Sequence, residues 1–257
     1  MVKEDLKQNI VEDFRRKKTE YYDRNYGTAN PSNYLRRLRR TLMSDSLSGR
    51  GHIGRVLDIG CGPAILFPAL LEACQKYYAV DLVPSNLDQI RATNPDSKIE
   101  CIPGDMDALQ WDADYFDVIV CSGAMEYTSN ATANLIKLVN WLGHGGLLVC
   151  SFPNVASPYR LWSEGIYNPA SRSLKALMGR KRPVYKSHLF SFDEIAKQLS
   201  EIGVVFSATY FGYKFIPQPF DKVFENVDYR LLTRLQSSPH PRLERYCSEF
   251  IVTVSKP

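Results

Sequence analysis

No run of about 20 uncharged apolar residues occurs in this chain of 257 residues, so an ordinary membrane-crossing helix is not expected. The opening Met1-Val2-Lys3-Glu4-Asp5 is charged and has no apolar segment behind it, which argues against a secretory signal. Metal-ligand spacing is also missing. The six cysteines, at positions 61, 74, 101, 121, 150 and 247, fall in or beside expected strands and helices. They read as small buried side chains in a reducing cytoplasm, and neither a disulfide framework nor a metal site is expected. Histidine is scarce, with four in the chain, and neither an internal repeat nor a low-complexity tract is present. What remains is ordinary globular material, 44% hydrophobic and 23% charged, enough for one α/β domain with extra elements.

The net charge of +4 conceals a division. Residues 1–55 carry a balance of +6, residues 56–150 one of −8, and residues 151–257 again +6. An acidic centre suits a cationic ligand, and basic flanks suit an anionic one or simply form solvated helix faces.

Residues 1–50 lack strand patterning. Leu35, Leu38 and Leu42 form one apolar stripe bordered by Arg36, Arg37, Arg39 and Arg40, which predicts a helix. From Arg55 strands are expected at 55–59, 77–81, 98–102, 116–121 and 146–152. Helices are expected at 64–74, 85–93 and 131–142, with a short one at 105–109. Strands alternating with helices mean βαβ units and a mainly parallel sheet, an α/β Rossmann-like doubly wound fold. Gly143-His144-Gly145-Gly146 is expected to end a helix and turn into the fifth strand. The rhythm then breaks. Residues 155–187, with Tyr159, Trp162, Tyr167 and Tyr185, read as an inserted lid. A helix introduced by Ser191, a strand at 204–210, a loop with Pro217 and Pro219, and a strand near 246–254 follow. One domain with an N-terminal helical cap and a lid is the economical reading.

The segment Val56-Leu57-Asp58-Ile59-Gly60-Cys61-Gly62-Pro63-Ala64 runs from apolar β-formers into two glycines. It reads as a strand and a tight turn over which a ligand comes close. Three ligands compete: a dinucleotide, a phosphate-bearing nucleotide and S-adenosylmethionine. A phosphate loop would need Gly-Lys-Ser/Thr, which is missing. A dinucleotide fingerprint would place its third glycine where Ile65 stands, and Asp58 would repel a pyrophosphate. Asp81 ends the second strand, where a carboxylate accepts hydrogen bonds from a ribose diol or caps the helix before which Pro84 stands. Asp105 and Met106 follow the third strand, where they suit adenine or a simple turn.

The strings VLDIGCGPA, AVDL, PGDMDAL and FDVIVCSGAMEY resemble, in register, the successive motifs of class I S-adenosylmethionine-dependent methyltransferases. The likeness runs from about residue 50 to 154 and is greatest to the small-molecule methyltransferase-11 or ubiquinone-pathway type. It implies a seven-stranded sheet of order 3-2-1-4-5-7-6 with the seventh strand antiparallel. It also implies S-adenosylmethionine as methyl donor and S-adenosylhomocysteine as product. Asp58, Gly60, Cys61 and Gly62 would line the methionine part, Asp81 with Leu82 the ribose, and Asp105 with Met106 the adenine. Ser122 and Gly123 would lie near the sulfonium, and an N-terminal aromatic among Tyr21, Tyr22, Tyr26 and Tyr34, with Tyr22 our choice, would close the site. Where the family often has Glu-His after the fourth strand, this chain has Glu126-Tyr127, so a histidine base at that position is missing.

Active sites on open α/β sheets lie at the carboxyl ends of the strands. His52 and His144 precede strands and so fall on the wrong edge, and His240 sits in a Pro-rich loop. His188 follows the lid and precedes the Ser191 helix, which makes it a candidate base or substrate contact. Glu126 and Tyr127 are candidates to line the acceptor pocket. The basic runs Arg36–Arg40 and Arg180-Lys181-Arg182 suit a phosphate, a carboxylate or a lipid surface. The expected activity is methyl transfer to O or N of a small metabolite, anionic or aromatic, such as a natural product, quinone precursor or sugar conjugate. Two alternatives are an RNA methyltransferase and a catalytically idle cofactor-binding module. The former lacks its Asn/Asp-Pro-Pro-Tyr motif, since Ser122-Gly123-Ala124-Met125 stands there, and no nucleic-acid partner is expected.

Overall fold

The computed structural model describes residues 7–9, 11–12, 33–179 and 187–257. In chain order the elements are α1 (Tyr34–Leu47), β1 (Ile53–Ile59), α2 (Pro68–Ala73), β2 (Cys74–Asp81), α3 (Pro84–Thr93), β3 (Ile99–Pro103) and β4 (Phe116–Cys121). Next come α4 (Ala131–Trp141), β5 (Leu142–Pro153), α5 (Pro158–Trp162), a π-helical turn (Ser163–Tyr167) and α6 (Asn168–Leu177). The chain closes with α7 (Phe192–Glu201), β6 (Val205–Phe211), α8 (Phe220–Val223), α9 (Glu225–Ser237), α10 (Pro241–Glu244) and β7 (Glu249–Ser255).

The strands form one sheet of order β3-β2-β1-β4-β5-β7-β6. β1 is parallel to β2 and β4, β2 to β3, and β4 to β5. β7 runs the other way. The Gly145 amide, early in β5, donates to Lys256 at the end of β7 at 2.9 Å. The Asn154 amide, just past β5, donates to Ser248 just before β7 at 3.0 Å. The order and the reversed last strand are those the resemblance implies.

The chain divides into two compact units. One contains Arg39–Ser151, Asp193–Ala208 and Ile251–Pro257. The other contains, among the described residues, those up to Leu38, Phe152–Phe192 and Thr209–Phe250. The first unit holds the greater part of the sheet. Val56, Leu57, Val118, Ile119, Val120, Leu148 and Val149 are fully buried there, which is why these strands read as continuous apolar runs rather than alternating ones.

Four local expectations are corrected. The helix expected at 64–74 is confined to Pro68–Ala73, because Pro68 takes a first-turn position and residues before it form a loop. Residues 105–109 form a turn, in which the Ala108 and Leu109 amides both donate to the Asp105 carbonyl. Gly143–Gly146 do not separate helix from strand. β5 starts at Leu142, and the pairing steps from Phe116↔Leu142 to Val118↔Leu147, so the glycines form a bulge. The stretch read as a loop around Pro217 and Pro219 is followed by helices, α9 spanning Glu225–Ser237. Its period was hidden because Val227 and Leu231 are exposed, at 57% and 38%, so apolar residues do not mark one face.

The second unit is held by a buried amide and an aromatic cluster. Asn154 is 3% exposed; its Nδ2 donates to the carbonyls of Arg245 and Cys247, each at 2.8 Å, while its Oδ1 accepts from the Ala156 amide at 2.9 Å. Phe152 stacks on Phe250 with ring centroids 5.4 Å apart and meets Phe190 edge-on at 5.2 Å. Replacing Asn154 by alanine strands buried carbonyls and removes hydrogen bonds worth about 1 kcal/mol each. Asn154→Ala is expected to lose about 2–4 kcal/mol in urea unfolding. A loss under about 0.5 kcal/mol, the size of an ordinary surface substitution, would show that this amide does not tie β5 to β7.

Candidate functional site

The glycine turn is fixed by backbone hydrogen bonds before any side chain is considered. The amides of Gly60 and Cys61 both donate to the Val80 carbonyl, at 2.8 and 3.1 Å, so the turn leaving β1 is tied to the last residues of β2. Gly60 has φ of 69°, a conformation that favours glycine, and a Cβ there would stand 2.5 Å from the Ala124 Cβ. The segment after β4 therefore packs directly against the turn after β1.

Two carboxylates flank this turn from within. Asp58, 2% exposed, accepts from the Tyr77 hydroxyl at 2.7 Å. Burial raises its carboxyl to about 7; the Tyr77 hydrogen bond opposes the rise and the nearby Asp81 adds to it. Asp81, 8% exposed, accepts from the Gly62 amide at 2.8 Å on one oxygen. Its other oxygen accepts from the Val83 amide at 2.8 Å and from Asn86 Nδ2 at 3.1 Å. Asp81 thus orders the start of α3, as its capping reading expects, and it also holds the glycine turn, which neither sequence reading had given it. Burial raises its carboxyl too, against these three hydrogen bonds. Cys61 is a buried thiol held well above its usual range, first by burial and then by the two aspartates, which makes it inert rather than nucleophilic. Leu82 follows Asp81 directly and is half-buried.

Further along the sheet edge, the Gly104 amide donates to the Asp81 carbonyl at 3.1 Å, which sets the loop after β3 beside the end of β2. Asp105 Oδ1 accepts from the Asp107 amide at 3.0 Å, and Met106 is buried. Asp107, which the sequence did not mark, ties this loop to the start of α4. It accepts from Asn134 Nδ2 at 2.6 Å and from the Ser129 amide at 3.0 Å. After β4, Ser122 is half-buried, and the Gly123 amide donates to Ser151 Oγ at 2.9 Å. Glu126 and Tyr127 stand in a single 3₁₀ turn, both half-buried.

A residue that sequence reasoning had not singled out enters here. Gly123 has φ of 70°, and a Cβ on it would overlap the guanidinium of Arg39, with Glu126 Oε1 3.8 Å away. The signal lay within the Arg36–Arg40 run, but only the helix phase of α1 selects Arg39 from its neighbours.

Asp58, Gly60, Cys61, Gly62, Asp81, Leu82, Asp105, Met106, Ser122, Gly123, Glu126 and Tyr127 all belong to one unit, at the carboxyl ends of its parallel strands or on the segments that leave them. His188 belongs to the other unit, where it is exposed. Tyr22 lies outside the described residues, as do Tyr21, Tyr26, Tyr185 and Arg180-Lys181-Arg182. His52 and His144 line a cleft of about 280 Å³ with Arg50 and Asp117, at the amino ends of β1 and β4. The ring of His240 caps α10 by accepting from the Arg242 amide.

The chemistry of the donor set tests the expected cofactor. The hydrogen-bond partners of Asp58 and Asp81 are a phenol, two backbone amides and a side-chain amide, none of them cationic. Two water-shielded carboxylates with no cationic hydrogen-bond partner among the described residues suit hydroxyl and ammonium groups and repel phosphate. S-adenosylmethionine carries a ribose diol, an ammonium and a sulfonium, so it fits.

Residues 57–150 match the family model described as a methyltransferase domain. Over 132 residues the chain is 30% identical to a ubiquinone biosynthesis O-methyltransferase of Xylella fastidiosa, covering 50% of this chain and 53% of that protein. It is 28% identical over 158 residues to the cypemycin N-terminal methyltransferase of a Streptomyces species, covering 60% and 61%. The chain thus spans about half the length of the curated relatives it matches. In fold it is similar to the N-methyltransferase NodS of Bradyrhizobium japonicum, solved with S-adenosylhomocysteine, with a TM-score of 0.57 at 14% identity over 97% of this chain and 99% of that one. It is also similar to the plantazolicin methyltransferase BpumL, likewise solved with S-adenosylhomocysteine, with a TM-score of 0.56 at 16% identity over 98% and 96%. The motif register, the strand order and the sequence match agree: residues 57–150 match a methyltransferase domain, and they lie in a sheet of the strand order that the resemblance to class I S-adenosylmethionine-dependent methyltransferases implies.

Proposed function

We propose that this protein transfers the methyl group of S-adenosylmethionine to an oxygen or nitrogen of a small metabolite. The observation that carries the reading is the pair of buried carboxylates, Asp58 and Asp81, around the turn of Gly60 to Gly62. In this assignment Asp58, Gly60, Cys61 and Gly62 receive the methionine part, Asp81 and Leu82 the ribose, and Asp105 and Met106 the adenine. Ser122 and Gly123 border the sulfonium, and Arg39, beside Gly123, offers its guanidinium to the methionine carboxylate. Bound S-adenosylmethionine supplies an activated methyl group for in-line displacement. The chain's own part is alignment and exclusion of water, and alignment alone can contribute several kcal/mol. A general base, needed only where the acceptor holds a proton to lose, would add roughly 10²–10⁴-fold. Glu126, Tyr127 and His188 remain our candidates for acceptor contacts or that base.

Calorimetric titration is expected to give micromolar-range affinity for S-adenosylmethionine and S-adenosylhomocysteine. Asp81→Ala removes the anchor of the Gly62 amide together with the ribose acceptor, and hydrogen bonds to a charged group are worth about 1.5–3 kcal/mol. A weakening of about 10²-fold or more is therefore expected, with circular dichroism unchanged. Affinity equal to that of the unaltered protein would end the assignment.

Asp58 gives the reading a pH signature. Its folded carboxyl, at about 7, lies above the ordinary value of 3.8, so the free protein holds a proton there that the unfolded chain has lost. That proton favours the folded state most at low pH, and the benefit fades as pH rises from about 4 to about 7. A cationic ligand favours the ionised carboxylate. Cofactor affinity should therefore increase as pH rises toward 7, with proton release measurable as a buffer-dependent heat. Asp58→Asn should abolish both the slope and the release; a flat profile in the unaltered protein would remove Asp58 from contact with the cation.

A further inference from the structure

Apolar side chains in contact with solvent are unevenly spread over this protein. Of the fifteen large ones exposed among the described residues, twelve belong to the unit that contains Asn154, and eleven of those fall within 161–178 and 220–231. Scattered apolar exposure is ordinary, whereas a concentration of this kind marks a surface that meets something. The first stretch is the helical run of α5, the π-helical turn and α6, in which no residue of α5 or α6 is buried. On α6 the helical period sets Leu174 and Leu177 on the side opposite Arg172 and Lys175. Leu177 is 87% exposed and Leu174 61%, so the apolar side faces outward, the reverse of an ordinary surface helix.

The second stretch is α8 and the start of α9, where Phe220, Val223, Phe224 and Val227 recur at three and four residues and are all exposed, Val223 by 72%. Buried polar contacts hold the two stretches together. The Tyr159 hydroxyl of α5 donates to Asp221 Oδ2 of α8 at 3.1 Å, and Lys214 Nζ donates to both, at 3.1 and 3.0 Å, while lying 3.6 Å from Asp228 Oδ2. The Trp162 indole donates to the Gln218 carbonyl, just before α8, at 2.7 Å. One scaffold therefore carries both apolar stretches. Its charge is one-sided: residues 152–192 hold seven Lys/Arg and one Asp/Glu, and Arg172 and Lys175 bring two of these positive charges to α6 itself.

We propose that the face formed by α5, α6, α8 and the start of α9 docks on the surface of an anionic lipid bilayer. Leucine, phenylalanine and tryptophan on the outward side of a helix, with arginine and lysine on the other, are what a helix lying in the headgroup plane requires. No helix among the described residues is long and apolar enough to cross a membrane, so the contact lies in the interface. Charge selects the lipid surface over a second copy of this chain. A two-fold contact would set the excess positive charge of residues 152–192 against itself, whereas anionic headgroups attract it. The proposal goes beyond the methyl-transfer reading and does not require it.

The test mixes the full chain with vesicles of pure phosphatidylcholine, or with vesicles containing about 30 mol% phosphatidylglycerol, and reads the bound fraction by co-sedimentation. Binding to the anionic vesicles should be about tenfold tighter or more, and about 0.5 M potassium chloride should remove most of that advantage. Leu174→Asp combined with Leu177→Asp should weaken binding about tenfold or more, with circular dichroism and S-adenosylmethionine affinity unchanged, because both side chains are largely exposed. Arg172→Glu combined with Lys175→Glu should reduce the preference for phosphatidylglycerol several-fold while leaving the weak binding to phosphatidylcholine in place. No binding to anionic vesicles, equal binding to both kinds, or binding that survives the paired aspartates would overturn the proposal. So would a dimer, seen by analytical ultracentrifugation without lipid, that the paired aspartates dissociate, since it would assign the face to a second copy. The comparison of vesicles on the unaltered protein decides the matter even where a variant fails to fold. Loss of cofactor binding, read separately by calorimetry, would count against the transferase reading alone.

Discussion

The hydrogen bond from the Gly62 amide to the Asp81 carboxylate is the constraint on which the carboxyl-end edge of the sheet depends. It joins the turn after β1 to the end of β2, while the Val80 carbonyl accepts from Gly60 and Cys61 and so fixes the turn's height. Asp81 then passes the constraint on. Its second oxygen orders the Val83 amide at the start of α3, and its own carbonyl accepts from Gly104 after β3. One residue thereby sets three consecutive loops in register. At the other side Ala124, pressed against Gly60, brings the segment after β4 into the same arrangement.

Burial gives that register its electrostatic character. Asp58 and Asp81 are removed from solvent, burial raises the carboxyl of each, and Asp81 adds to the rise at Asp58. The acidic balance of residues 56–150 expresses the same preference over a longer range, since it draws cations toward this part of the chain. Arg39 brings a guanidinium against Gly123, a positive charge beside the turn after β4. The arrangement selects for a ligand that is cationic and hydroxylated at one place and anionic at another.

The sheet was legible because parallel strands covered on both faces must be apolar along their whole length, and Val118 to Cys121 or Leu147 to Cys150 can be read no other way. The glycine turn was legible for a similar reason, as few residues other than glycine tolerate a φ near +70° at Gly60. Errors fell where local signals compete with tertiary ones. Pro68 overrode the helical pattern begun at Ala64, and the glycines after Trp141 served a bulge instead of a turn. The helix α9 escaped notice because its apolar side chains are not gathered on a buried face. Arg39 was one of four arginines in a row interrupted by a single leucine, and a run of like residues carries no phase of its own.

The same reasoning explains why the strand-end motifs were readable and the buried polar pairs elsewhere were not. Turns at consecutive strand ends leave their mark as short motifs at regular intervals, each next to a strand that composition already reveals. The cluster of Tyr159, Lys214, Gln218, Asp221 and Asp228 leaves no such mark. Its members come from α5, from a turn after β6 and from two helices, and none is unusual for its local sequence. Only their pairing in the fold distinguishes them from solvated surface charges. Such a network is in this sense a tertiary property: it resides in the pairing of groups that folding brings together, and that pairing is invisible until the groups have met.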